Sequence, residues 1–211
     1  MRNRIFTDEE IALLNAIHAN PSENSLRLAY ADWLEQHAAS EYAEFIRLHC
    51  SPDNADSDRA KELQYSHGPA WAKPFPKSFH ITYERGLPIT WLQPNLWTLD
   101  RLTKLIQTVS PRLRFILMLK ERTLFHRVAG EAVFDHPIMG RVARFRVCPA
   151  YIRHRDTDYE EKATAFVKRL ASFRLPNTAE EINFMKLPQC AELLARQIFE
   201  PRFRVTVQFQ D

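Results

Sequence analysis

The sequence predicts an α/β protein: a small helical unit over residues 1–65, then short parallel strands alternating with helices over residues 66–211. Three observations lead there. Apolar residues recur at helical spacing through roughly the first fifty positions, broken by short polar links. Four apolar-Arg-apolar triplets follow, each alternating like a strand with one buried face. Longer stripes at helical spacing lie between those triplets.

Thr7-Asp8-Glu9-Glu10 opens the first helix. Thr7 caps the free amides, Glu10 completes a capping box, and the acids suit the positive end of the helix dipole. Ile11, Leu14, Ile17 and His18 then mark one face, until Asn20-Pro21-Ser22-Glu23-Asn24 breaks the pattern. A second helix carries Leu26, Tyr30, Trp33 and Leu34 on one side, and a third carries Tyr42, Phe45, Ile46 and His49. Residues 51–58 are polar and read as a loop before a short helix near Arg59–Tyr65.

The segments Tyr30-Ala31-Asp32-Trp33-Leu34-Glu35 and Ala43-Glu44-Phe45-Ile46-Arg47-Leu48 carry a resemblance. They are similar to the hallmark of the bacterial repeat-companion domain, and the upstream Asp8–Leu14 also fits. The likeness covers about a quarter of the 211 residues. His67–Ala72 and Tyr83–Leu87 resemble the link joining such domains to leucine-rich-type repeats. One departure is Ala38-Ala39-Ser40, where family members usually carry a Gly-containing turn. The resemblance implies a bacterial multi-domain or interaction setting and assigns no catalytic residues. Asp32 and Glu35 share a helix, but binding of Asp32 to Arg27, to Arg47 or to a helix end is the stronger reading than acid/base work.

In the second part the triplets are Leu113-Arg114-Phe115, Phe145-Arg146-Val147, Phe173-Arg174-Leu175 and Phe203-Arg204-Val205, with starts 32, 28 and 30 residues apart. An earlier strand falls at Leu87–Leu92. Helical stripes occupy Leu96–Val109, Asp158–Leu170 and Ile182–Phe199, the last with Pro188 marking a break or a new start. Units of this length fall in the range of leucine-rich repeats, although the usual Leu/Asn signature is absent. A leucine-rich-repeat-like array and a short α/β sheet without solenoid character both fit.

If the period holds, Arg114, Arg146, Arg174 and Arg204 line one open face, widened by Arg112, Arg144 and Arg202 two residues earlier. The formal charge of +3 supports such a face, because residues 1–63 carry 6 Lys/Arg against 12 Asp/Glu while the remainder carries 23 against 14. The arginines are then expected to bind an acidic surface: a protein, a nucleic-acid backbone, or the chain's own first unit. Solubilising an exposed sheet face is the competing role.

Other chemistry is sparse. Only Gly68, Gly86, Gly130 and Gly140 are present, so no phosphate loop can form. The eight histidines are scattered, and neither His49-Cys50 nor His154 with Asp156 and Asp158 has a metal-ligand spacing. Cys50, Cys148 and Cys190 read as free thiols, and Cys148 beside His154 lacks an activating context for a nucleophile. No run of eighteen apolar residues and no signal-like start occurs, so a cytoplasmic location without a membrane span is expected. The sequence thus predicts a non-catalytic interaction module or adaptor with a protein partner, no cofactor and no small-molecule substrate. Nucleic acid is the second partner class, since Trp91, Trp97 and Tyr151 sit among the basic residues.

Overall fold

The computed structural model describes residues 6–77, 79–92, 111–120, 133–148, 158–185 and 187–208. It divides into two units, Met1–Thr90 with Lys104–Arg114, and Trp91–Thr103 with Phe115–Asp211.

In the first unit, Thr7 caps α1 (Asp8–Ala19) by accepting from the Glu10 amide at 3.1 Å. The expected capping box does not close. The Glu10 side chain turns inward and is 1% exposed, accepting from the Tyr30 hydroxyl at 2.8 Å and from Arg112. Helices α2 (Asn24–Gln36) and α3 (Ser40–Cys50) follow after breaks at the anticipated places. The next helix, α4 (Asp58–Ala72), outruns its expected end at Tyr65 and continues through Pro69. Proline forfeits one helical hydrogen bond there. In compensation, the added turn sets Trp71 against Tyr42 and Phe45, at ring distances of 4.8 and 5.0 Å. Aromatic pairs of this kind contribute about 0.5–1.5 kcal/mol each beyond the area they bury.

α2 ends in a Schellman turn. The Ala39 amide donates to the Leu34 carbonyl at 2.9 Å and the Ala38 amide to that of Glu35 at 3.2 Å. This geometry forces Ala38 to φ 56°, a left-handed conformation that suits glycine. Ala38→Gly is therefore expected to stabilise the protein by about 1 kcal/mol. The check is the urea midpoint; an unchanged or lower midpoint contradicts the strain assigned to this turn.

Strand β1 (Ile81–Glu84), not among the strands expected from the sequence, pairs antiparallel with β2 (Leu87–Leu92). Their two-residue turn places both Arg85 (φ 47°) and Gly86 (φ 80°) in the left-handed region, as tight hairpins require. Arg85 then reaches back to the α1–α2 link, donating to Pro21 O at 2.7 Å, Ser22 O at 3.1 Å and Asn24 Oδ1 at 3.0 Å. Leu87 and Tyr83 pack with Leu14, Ile17, Trp33, Phe45 and Ile46. The first unit accordingly runs on past the expected boundary at residue 65, because the hairpin completes the helical core.

The strands β3 (Arg114–Lys120, in the second unit from Phe115 on), β4 (Val142–Cys148), β5 (Glu181–Met185) and β6 (Arg204–Gln208) pair in parallel. A short 3-10 helix, Pro137–Arg141, leads into β4. Helix α5 (Tyr159–Ala171) buries Ala163, Phe166, Val167 and Leu170, and α6 (Gln189–Phe199) buries Ala191, Ala195 and Phe199. Phe184 on β5 meets Phe199 at 6.0 Å, and Phe145 on β4 meets Phe134 at 6.1 Å.

Three expectations need correction. Phe173-Arg174-Leu175 is not a strand but the turn after α5, while the strand there is β5. The helix expected over Ile182–Phe199 is strand β5 followed by α6, with extended Pro188 as the new start. The four parallel strands begin at 114, 142, 181 and 204, so their intervals are uneven. The stripe Leu96–Val109 lies outside the described residues, as do His154 and its neighbours.

At β6 the Arg204 amide faces β5, bonding Glu180 O at 2.9 Å, so the Val205 backbone faces the opposite side. Arg196 of α6 donates to the Val205 carbonyl at 3.3 Å, and Glu192 and Glu200 both hold its guanidinium at 2.8 Å.

Candidate functional site: a mixed-charge strand face

Alternate residues of a strand face opposite ways. Phe145, Val147, Ile182, Phe184 and Val205 are buried on one face of the parallel strands, with Phe184 directed at α6. The residues between them form the other face. Parallel register aligns Arg144, Glu181 and Arg204 in one row, and Arg146, Asn183 and Thr206 in the next.

The first row neutralises itself. Glu181 is 8% exposed and accepts from Arg204 Nη2 at 2.8 Å and from Thr206 Oγ1 at 2.9 Å, with Arg144 Nη1 at 4.0 Å. One carboxylate between two guanidiniums removes the like-charge repulsion that neighbouring arginines otherwise meet across a sheet.

The second row holds a cation with no acid. Arg146 is half-buried, and its guanidinium lies 5.0 Å from the ring centre of Trp91. Its Nε donates to Met185 Sδ at 3.0 Å and its Nη2 to Gln208 Oε1 at 3.4 Å. No carboxylate pairs with it among the described residues. Beside it, Asn183 donates to Thr206 at 2.8 Å. Trp91 itself remains 37% exposed. With Nε and Nη2 serving Met185 and Gln208, Nη1 is the guanidinium nitrogen that holds no hydrogen bond among the described residues, one charged donor for an incoming acceptor.

The structure breaks up the seven-arginine stripe. Arg112 and Arg114 are buried and belong to the first unit, where Glu10 binds Arg112 at 2.5 Å. Arg174 is exposed in the turn after α5. Arg202 sits in the turn before β6, donating to Leu175 O at 2.6 Å and to Asn177. Arg144, Arg146 and Arg204 share a strand face. Sequence reading missed Glu181 at its centre, though the alternation Glu181-Ile182-Asn183-Phe184-Met185 is a legible strand signal.

The repeat-companion-like segments of the first unit serve packing. Arg47 donates to Asp32 at 2.7 Å and to Glu35 at 2.6 Å, tying α2 to α3 while Trp33 is buried between helices. Hydrogen bonds to Asp32 and Glu35 hold the Arg47 charge more firmly than usual. The triad is solvent-screened and contributes at most about 1 kcal/mol.

Among the described residues, no helix is long and apolar enough to cross a membrane, and no group of three His, Cys, Asp or Glu is placed to hold a metal ion. No family model matches the chain, and neither a curated protein nor a solved structure matches it.

Proposed function

We propose that this chain is a non-catalytic interaction module whose strand face binds an acidic segment of a protein partner. The observation that carries the reading is Arg146: a half-buried cation over the Trp91 ring, with no carboxylate partner among the described residues. Arginine, tryptophan and methionine are the side chains enriched where protein interfaces concentrate their energy, and here they adjoin one another. The neighbouring row adds Arg204, whose side chain stays largely exposed beside Glu181, to the same face, and cations so placed favour an acidic segment. The uneven parallel strands are read as a degenerate leucine-rich-repeat-like array. The repeat-companion resemblance of residues 8–48 supports a setting in a bacterial cytoplasmic regulatory, signalling or defence assembly.

Short Asp/Glu-rich peptides of varied sequence, titrated against the full chain, test this. Binding is expected to weaken with salt and to shift the Trp91 indole resonance. Arg146→Glu should reduce affinity by about ten-fold or more while leaving circular dichroism unchanged. The reading is overturned if no such peptide binds, if Arg146→Glu binds as well as the wild type, or if a generic single-stranded oligonucleotide displaces the peptides from this face.

A further inference from the structure

We propose that the outer face of α5 and α6 joins two copies of this chain about a two-fold axis. This surface lies on different elements from the Arg146 face, and the inference is independent of the acidic-segment reading.

Helix α6 is apolar on two sides. Ala191, Ala195 and Phe199 are buried in the second unit, yet Leu193, on the opposite side of the helix, is 63% exposed. Beside Cys190 a groove of about 460 Å³ runs along α5 past Glu161, Thr164, Ala165 and Lys168. Ala165 leaves this groove shallow and unfilled, so a projecting leucine and a receiving groove occur on neighbouring helices. A two-fold interface requires such self-complementarity, because each copy presents both parts.

Charge identifies the occupant as a second copy. Glu160 and Glu161 lie in the first turn of α5, and Lys168 lies in its last. None of the three has an ion-pair partner among the described residues, whereas Lys162 pairs with Asp158 at 3.0 Å and Arg196 with both Glu192 and Glu200. The unpaired charges are thus acidic at one end of the helix and basic at the other. Glu161 and Lys168 are about 10 Å apart along the axis at 1.5 Å per residue. A two-fold axis passing near Ala165 sets α5 antiparallel to its copy, which brings Glu161 of each chain to Lys168 of the other. Leu193 then enters the opposing groove.

Sedimentation equilibrium of the full chain reads the outcome. A monomer–dimer equilibrium is expected, weakened by salt. Leu193→Arg should raise the dissociation constant about ten-fold or more without loss of helical signal, since Leu193 is mostly exposed. Glu161→Lys and Lys168→Glu should each weaken the dimer, and the double variant should restore it by exchanging the charges. Three results overturn the proposal: a wild type that stays monomeric to its solubility limit, a Leu193→Arg variant that dimerises normally, or a double variant as weak as the singles.

Discussion

Glu10→Ala is expected to lower the unfolding free energy by about 3–5 kcal/mol, the usual effect of breaking a buried ion pair from one side. Glu10 is 1% exposed and receives the Tyr30 hydroxyl and two Arg112 nitrogens. Arg112 lies near the rings of Phe6, Tyr30 and Tyr42, at 5.7, 5.7 and 5.0 Å. Burial keeps the Tyr30 hydroxyl protonated far above its ordinary range, so it remains a donor to the carboxylate. Removing Glu10 leaves a guanidinium withdrawn from water without its acid. Replacing both partners, as Glu10→Met with Arg112→Met, should recover part of the loss, the remainder reflecting the buried Tyr30 hydroxyl that loses its acceptor. Urea unfolding followed at constant m-value measures both. A Glu10→Ala cost under about 1 kcal/mol contradicts the role given to this pair.

Gly86→Ala is the second large effect, with an expected loss of about 3 kcal/mol or more. A β-carbon at Gly86 falls 2.7 Å from the Ile46 α-carbon and 2.8 Å from its Cγ1, and Gly86 also has φ +80°. The nearer obstacle is helix backbone, which cannot rotate aside as a side chain can. The hairpin must therefore lift away from α3, taking Leu87 and Tyr83 out of the core and loosening the three Arg85 bonds to the α1–α2 link. Arg85→Ala removes those bonds without the clash and should cost less. Comparing the two thermal midpoints separates the contributions. Equal midpoints for both variants would show that the close approach to Ile46 carries no weight.

The first unit was largely legible because its signals are local. Thr7, the Asn20–Asn24 break and the Tyr30/Trp33/Leu34 stripe each act within one or two helical turns. Its one large misreading, Glu10 as a capping-box acid, arose because the true partner Arg112 is 102 residues away. The second unit resisted for two reasons. Three residues of alternation do not distinguish a strand from an extended turn, so Phe173-Arg174-Leu175 looked equivalent to Phe145-Arg146-Val147. Conversely, Ile182 and Leu187 matched the α6 stripe closely enough to hide β5, and with it Glu181. The candidate face needed parallel register before its charges could be paired, and register is a tertiary property.

The Arg196 bridge has a consequence for how this protein tolerates crowding. Among the described residues β6 pairs only with β5, and an open strand of Val205-Thr206-Val207 composition is a template for recruiting other chains. An incoming strand must bond the outward Val205 carbonyl, which Arg196 already occupies. Displacing that guanidinium also strands Glu192 and Glu200. The bridge thus blunts this end of the sheet as a template for strand addition.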